Sequence, residues 1–147
     1  MATAKVVYAS MTGNTEECAQ IVADKLTALG LDVELSESTQ ADPEDYADVD
    51  LCIAGTYTYG DGELPDEIVD FYEDLADIDL SGKIYAVFGS GDTFYDDFCY
   101  CVDQFDEQFA QTGATKGAES VKVDLSPDED DIVNLVKFAE TLAAKVQ

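Results

Sequence analysis

The sequence has no histidine and no tryptophan, its only bases are seven lysines, and no apolar stretch exceeds a few residues. Each absence excludes something. Without histidine there is no imidazole zinc ligand and no imidazole general base, and no serine or cysteine stands beside a base that would make it a nucleophile. The four cysteines, Cys18, Cys52, Cys99 and Cys101, form no C-x-x-C, so the usual zinc and iron–sulfur spacings are missing. On a helix, Cys99 and Cys101 would point to different sides and clamp no metal. All four read as small buried or half-buried apolar residues in a reducing compartment. The short apolar runs supply no bilayer span. The opening Met1-Ala2-Thr3-Ala4-Lys5 lacks the basic, apolar, small-residue order of a signal peptide, so the cytoplasm is the expected location.

Charge is what the chain has in excess. Thirty-three acids against seven lysines give a formal net charge of −26. Such a surface repels nucleic acid and anionic membranes and attracts basic partners. Alone, this acidity serves solubility or a salty habitat equally well; it gains meaning only beside a cofactor site. A length of 147 residues with 46% apolar content suits one core, and the expectation is a single domain over residues 1–147.

Short apolar runs alternate with helical periods along the chain. Lys5-Val6-Val7-Tyr8-Ala9, Leu51-Cys52-Ile53-Ala54-Gly55 and Ile84-Tyr85-Ala86-Val87-Phe88 read as buried strands. Leu31, Val33 and Leu35 alternate with acids, as do Val121 and Val123 with charged neighbours, which suits edge strands. Between them, Cys18, Val22, Leu26 and Leu29 recur at helical spacing up to Gly30. A second helix carries Ile68, Phe71, Tyr72 and Leu75 after Pro65, and a third Phe98, Val102, Phe105 and Phe109. Ile132, Leu135, Val136, Ala139, Leu142 and Ala143 mark the last. Strand–helix alternation predicts an α/β three-layer sandwich, a five-stranded parallel sheet with helices on both faces. Three buried strands flanked by two half-wet ones fit the order 2-1-3-4-5.

Ligands of such sheets bind beyond the carboxyl ends of the strands. After the first strand comes Ser10-Met11-Thr12-Gly13-Asn14-Thr15, hydroxyls and an amide entering a helix N-terminus, which is suited to a phosphate. It is neither G-x-x-x-x-G-K-[ST] nor G-x-G-x-x-G. Lys5 sits at the other end of its strand, so neutral donors would hold a terminal monophosphate; an ordinary Ser/Thr-rich turn is the competing reading. The loops after strands three and four, Gly55-Thr56-Tyr57-Thr58-Tyr59-Gly60-Asp61-Gly62-Glu63-Leu64-Pro65 and Gly89-Ser90-Gly91-Asp92-Thr93-Phe94-Tyr95, each set aromatics beside glycines. Together they would sandwich a flat ring.

Three ordered motifs carry a family resemblance. Residues 10–15 resemble the [ST]-x-T-G-N-T phosphate loop of flavodoxins at every fixed position. Thr58-Tyr59-Gly60-Asp61-Gly62-Glu63-Leu64 resembles their T-W-G-D-G-E-L, with tyrosine for the frequent tryptophan. Phe88-Gly89-Ser90-Gly91-Asp92 with Tyr95 resembles F-G-x-G-D-x-x-Y. The likeness spans essentially the whole chain, and without a long insertion in the last strand it is similar to the short-chain branch. The resemblance implies non-covalently bound FMN. Ser10, Thr12, Asn14 and Thr15, with the backbone at Met11 and Gly13, would hold its phosphate. Tyr59 and Tyr95 would cover the two ring faces. Thr56, Tyr57, Thr58 and Gly60 in the second loop, with Ser90, Gly91, Asp92, Phe98 and Cys99, would hold the ring edges.

It also implies a low-potential one-electron carrier, not an enzyme, moving between semiquinone and hydroquinone with Gly60 as the hinge of a peptide flip. The acids Asp61, Glu63, Asp66, Asp92, Asp96 and Asp97 would disfavour the last electron. Partners would be redox proteins with basic faces, bound transiently by a monomer. An FMN-dependent quinone reductase of the same fold is the alternative. A phospho-receiver domain lacks its acidic cluster, because Ser10-Met11-Thr12 and Gly55-Thr56 occupy those positions.

Overall fold

The computed structural model describes residues 2–10, 13–58, 63–93 and 98–146. Strand β1 (Thr3–Tyr8) leads into helix α1 (Asn14–Ala28), then β2 (Asp32–Glu37), two short 3-10 turns, and β3 (Leu51–Tyr57). Helix α2 (Asp66–Leu75), β4 (Ile84–Gly91) and α3 (Tyr100–Gln111) follow. Two short strands, β5 (Thr115–Lys116) and β6 (Val121–Asp124), precede the closing helix α4 (Glu129–Val146). Every pairing is parallel, and the sheet runs β2-β1-β3-β4, with β5 and β6 both on the outer side of β4. The expected order 2-1-3-4-5 is therefore present, with the fifth position divided between two strands.

Side chains alternate across the sheet, as the two-residue period of a strand requires. Val6, Ile53 and Phe88 face one core, where they meet Cys18, Val22 and Leu26 of α1 and Leu135, Phe138 and Leu142 of α4. Val7, Ala54 and Val87 face the other, with Ile68, Phe71 and Leu75 of α2 and Val102, Phe105 and Phe109 of α3. Because β3 and β4 are covered on both faces, their sequences are continuously apolar. Gly89 lets β4 approach its neighbours closely: a Cβ there would lie 2.3 Å from Thr56 O and 2.4 Å from Val102 Cγ2.

Two expectations need correction. The fifth strand begins earlier than Val121, because the exposed Thr115–Lys116 pair also joins β4. In α4, Ile132 is exposed while Phe138 is buried edge-on against Phe88, with ring centroids 6.1 Å apart. The four cysteines are all buried reduced thiols, in keeping with their reading as apolar residues. Among the described residues, no helix is long and apolar enough to cross a membrane.

Candidate cofactor site

The carboxyl ends of β1, β3, β4 and β6 meet along one edge of the sheet. There, Gly13 adopts φ +93° as the N-cap of α1, a conformation glycine reaches at little steric cost. Its N–H donates to Ser10 Oγ at 3.1 Å. The first bond of the helix runs from Glu17 N to Gly13 O at 2.9 Å, so the N–H groups of Asn14, Thr15 and Glu16 have no acceptor within α1. That is a neutral anion cradle at the positive end of a helix dipole. Glu16 in the same turn accepts a 3.0 Å bond from Tyr8 Oη. Burial and this carboxylate push the Tyr8 phenol up to about 12, so it serves as a donor at neutral pH.

Ser90, near the end of β4, joins the loops. Its Oγ lies 2.6 Å from Thr15 Oγ1, a buried contact in which either hydroxyl can donate. Its carbonyl accepts from Thr58 N at 3.1 Å. Thr58 Oγ1 in turn accepts from Cys101 N in the first turn of α3, at 3.2 Å. The starts of α1 and α3 are thus connected through the ends of β3 and β4.

A hollow of about 150 Å³ lies among Ser10, Asn14, Thr15, Tyr57, Thr58, Ser90, Gly91, Asp92 and Leu125. A second, of about 630 Å³, shares Ser10 and Tyr57 and is otherwise lined by residues 63–67. Three carboxylates, Glu63, Asp66 and Glu67, border this larger space, and no lysine lines either hollow. Lys5 is instead buried and paired with Glu34 and Ser36 on β2. A further hollow, between β6 and α4, lies away from these loops.

Of the residues singled out from sequence, eight line the smaller hollow together. Thr56 is fully buried, with its hydroxyl on the Tyr57 carbonyl at 3.0 Å. Cys99 is also fully buried, with Sγ 3.8 Å from Val123 O. Phe98 packs against the core under α2 and α3. Thr56, Phe98 and Cys99 line neither hollow. Met11, Thr12, Tyr59, Gly60 and Tyr95, and the acids Asp61, Asp96 and Asp97, lie outside the described residues.

Sequence reasoning missed the loop after β6. Leu125 is left-handed (φ 59°) and donates its N–H to Gly91 O at 2.8 Å, while Asp124 accepts from Thr93 N and Oγ1 at 3.2 and 3.1 Å. The available signal was topological: every strand of a parallel sheet delivers its carboxyl end to the same edge.

Residues 6–138 match the flavodoxin family profile. The chain belongs to the flavodoxin family. It is 40% identical over 146 residues to probable flavodoxin 2 of Bacillus subtilis (strain 168), covering 99% of this chain and 97% of the relative. A solved flavodoxin of Streptococcus, strain TIGR4, shares 66% identity and superimposes with a TM-score of 0.97, covering 99% of this chain and all of that one (100%). A short-chain flavodoxin associated with a non-canonical PDU bacterial microcompartment shares 51% identity at a TM-score of 0.97, with both chains covered in full (100%). As a flavodoxin, this chain is an FMN-binding electron carrier and not an enzyme, and it exchanges electrons with redox partner proteins. Its site fits that cofactor. Free N–H groups and hydroxyls suit a phosphate, and the wider hollow beside Tyr57 has room for an apolar ring.

Proposed function

We propose that this flavodoxin works as a single domain over residues 1–147 and carries one electron at a time at low potential. The observation that supports this reading is the neutral cradle at the start of α1 opening beside a wider hollow whose charged lining residues, among the described residues, are all carboxylates. In this reading Ser10, Thr12, Asn14 and Thr15, with the backbone at Met11 and Gly13, bind the phosphate. Tyr59 and Tyr95 cover the ring. Thr56, Tyr57, Thr58 and Gly60 hold one side of it, and Ser90, Gly91, Asp92, Phe98 and Cys99 the other. Thr56, Phe98 and Cys99 act from behind the lining, through backbone placement and packing.

When bound, FMN supplies the redox chemistry. The chain supplies the bias. Glu63, Asp66 and Glu67 raise the cost of added negative charge and so lower the potential of the last electron. The same acids, on a chain of net charge −26, draw in partners with basic faces. Such docking is brief and weakens as salt rises. The protein acts as a cytoplasmic monomer in this reading.

The test is a visible spectrum recorded during stepwise anaerobic reduction. A yellow protein in which a long-wavelength band rises and then falls supports the one-electron carrier. Direct bleaching without that band would oppose it, and a colourless chain that takes up no FMN would overturn the site itself.

A further inference from the structure

We infer that Ser90 is a positioning residue for the phosphate, acting through Thr15 in a directional hydroxyl relay. The inference rests on the proposed phosphate role of the α1 cradle and adds to it a residue from β4, on the other side of β3.

Thr15 is 1% and Ser90 3% exposed, and their oxygens are 2.6 Å apart. A hydroxyl offers one hydrogen and two lone pairs, so only one of the two can donate across this contact. Ser90 Oγ has no other hydrogen-bond partner among the described residues. Both residues line the smaller hollow, but Thr15 sits in the first turn of α1, among the N–H groups of the cradle. If Thr15 donated to Ser90, its hydrogen would be spent there and none would remain for a phosphate in that cradle; with Ser90 donating, the Thr15 hydrogen is free to turn toward it.

A phosphate dianion only accepts. It therefore selects the direction Ser90 to Thr15 to phosphate. A donor that is itself receiving a hydrogen bond is the stronger donor. The Ser90 carbonyl is meanwhile held by Thr58 N, which fixes the backbone from which the hydroxyl reaches Thr15. Ser90 thus acts on the phosphate end of the ligand from a strand whose loop faces the ring end.

The test compares FMN with riboflavin, which lacks only the phosphate, by fluorescence titration of the full chain freed of cofactor. Wild type should bind FMN more tightly than riboflavin. Equal binding would overturn the phosphate reading itself. In Ser90→Ala the FMN-to-riboflavin affinity ratio should fall by about threefold to tenfold, the scale of one neutral hydrogen bond. In a Thr15→Val background the same change should leave the ratio unaltered, because the link is already cut. An unchanged ratio in Ser90→Ala, or an equal loss for both ligands, would overturn the relay and leave Ser90 a packing residue. If Ser90→Ala does not fold, Ser90→Cys takes its place: its weak S–H donor should lower the ratio, and an unchanged ratio refutes the relay.

Discussion

The carboxylates that border the larger hollow, Glu63, Asp66 and Glu67, should set part of the potential at which FMN accepts its second electron. One unit charge at ~10 Å in a water-like dielectric contributes about 0.4 kcal/mol. That corresponds to roughly 18 mV for a one-electron step. Replacing all three (Glu63→Gln, Asp66→Asn, Glu67→Gln) should raise that potential by about 50 mV. The shift should be greatest near 0.01 M salt, where screening acts over ~30 Å, and should largely vanish near 1 M, where it acts over ~3 Å. Asp66 and Glu67 also open α2, so each neutralisation should cost ~0.3–1 kcal/mol of stability through the helix dipole. Anaerobic potentiometric titration at both salt concentrations measures the first effect, and urea unfolding the second. A shift below about 10 mV at low salt, against the ~50 mV expected from simple Coulomb interaction, would refute this reasoning and assign the potential to the ring contacts.

Three other perturbations test the scaffold around the site. Gly89→Ala would place a Cβ 2.3 Å from Thr56 O; it should cost ~1–3 kcal/mol in urea unfolding and weaken FMN binding, and a cost below ~0.5 kcal/mol would show that the strands yield freely. At Leu125, held at φ 59°, Leu125→Gly should be more stable than Leu125→Ala by ~0.5–1 kcal/mol, the left-handed cost less glycine's entropy; the reverse order in calorimetry would refute the strain. Burial pushes the Cys18, Cys52 and Cys99 thiols from an ordinary 9.0 up to about 12. They should resist a disulfide reagent at pH 8 in the native state and react in denaturant. Since the folded thiols hold their protons more tightly than the unfolded ones, their contribution is intact below the ordinary value and is lost as pH rises toward 12. A denaturation midpoint no lower at pH 10.5 than at pH 8 would contradict this.

The buried strands β1, β3 and β4 were legible because burial on both faces demands uninterrupted apolar runs, as in Leu51-Cys52-Ile53-Ala54. β5 was not, because Thr115 and Lys116 are both exposed and carry no apolar signal. In α4, Ile132 and Phe138 are both apolar, and only packing decides that one is wet and the other buried. At the site, the α1 cradle could be read from its hydroxyls and glycine before a helix. The Thr15–Ser90 bond could not, since it joins positions 75 apart. Leu125 gave no clue at all: its left-handed backbone exists because its N–H reaches Gly91 O, and leucine does not advertise that conformation.

The sheet separates two apolar cores, one under α1 and α4 and the other under α2 and α3. Hydrogen exchange in proteins reports opening in contiguous cooperative units, and such a sandwich offers two of them, one for each face. The chain from Thr15 through Ser90 and Thr58 to Cys101 connects the first turn of α1 with that of α3, and so crosses from one layer to the other at the cofactor edge. A ligand seated on this seam contacts both layers at once. Its binding energy is withdrawn whenever either layer opens, so occupancy of the site binds two separately fraying halves into one cooperative body.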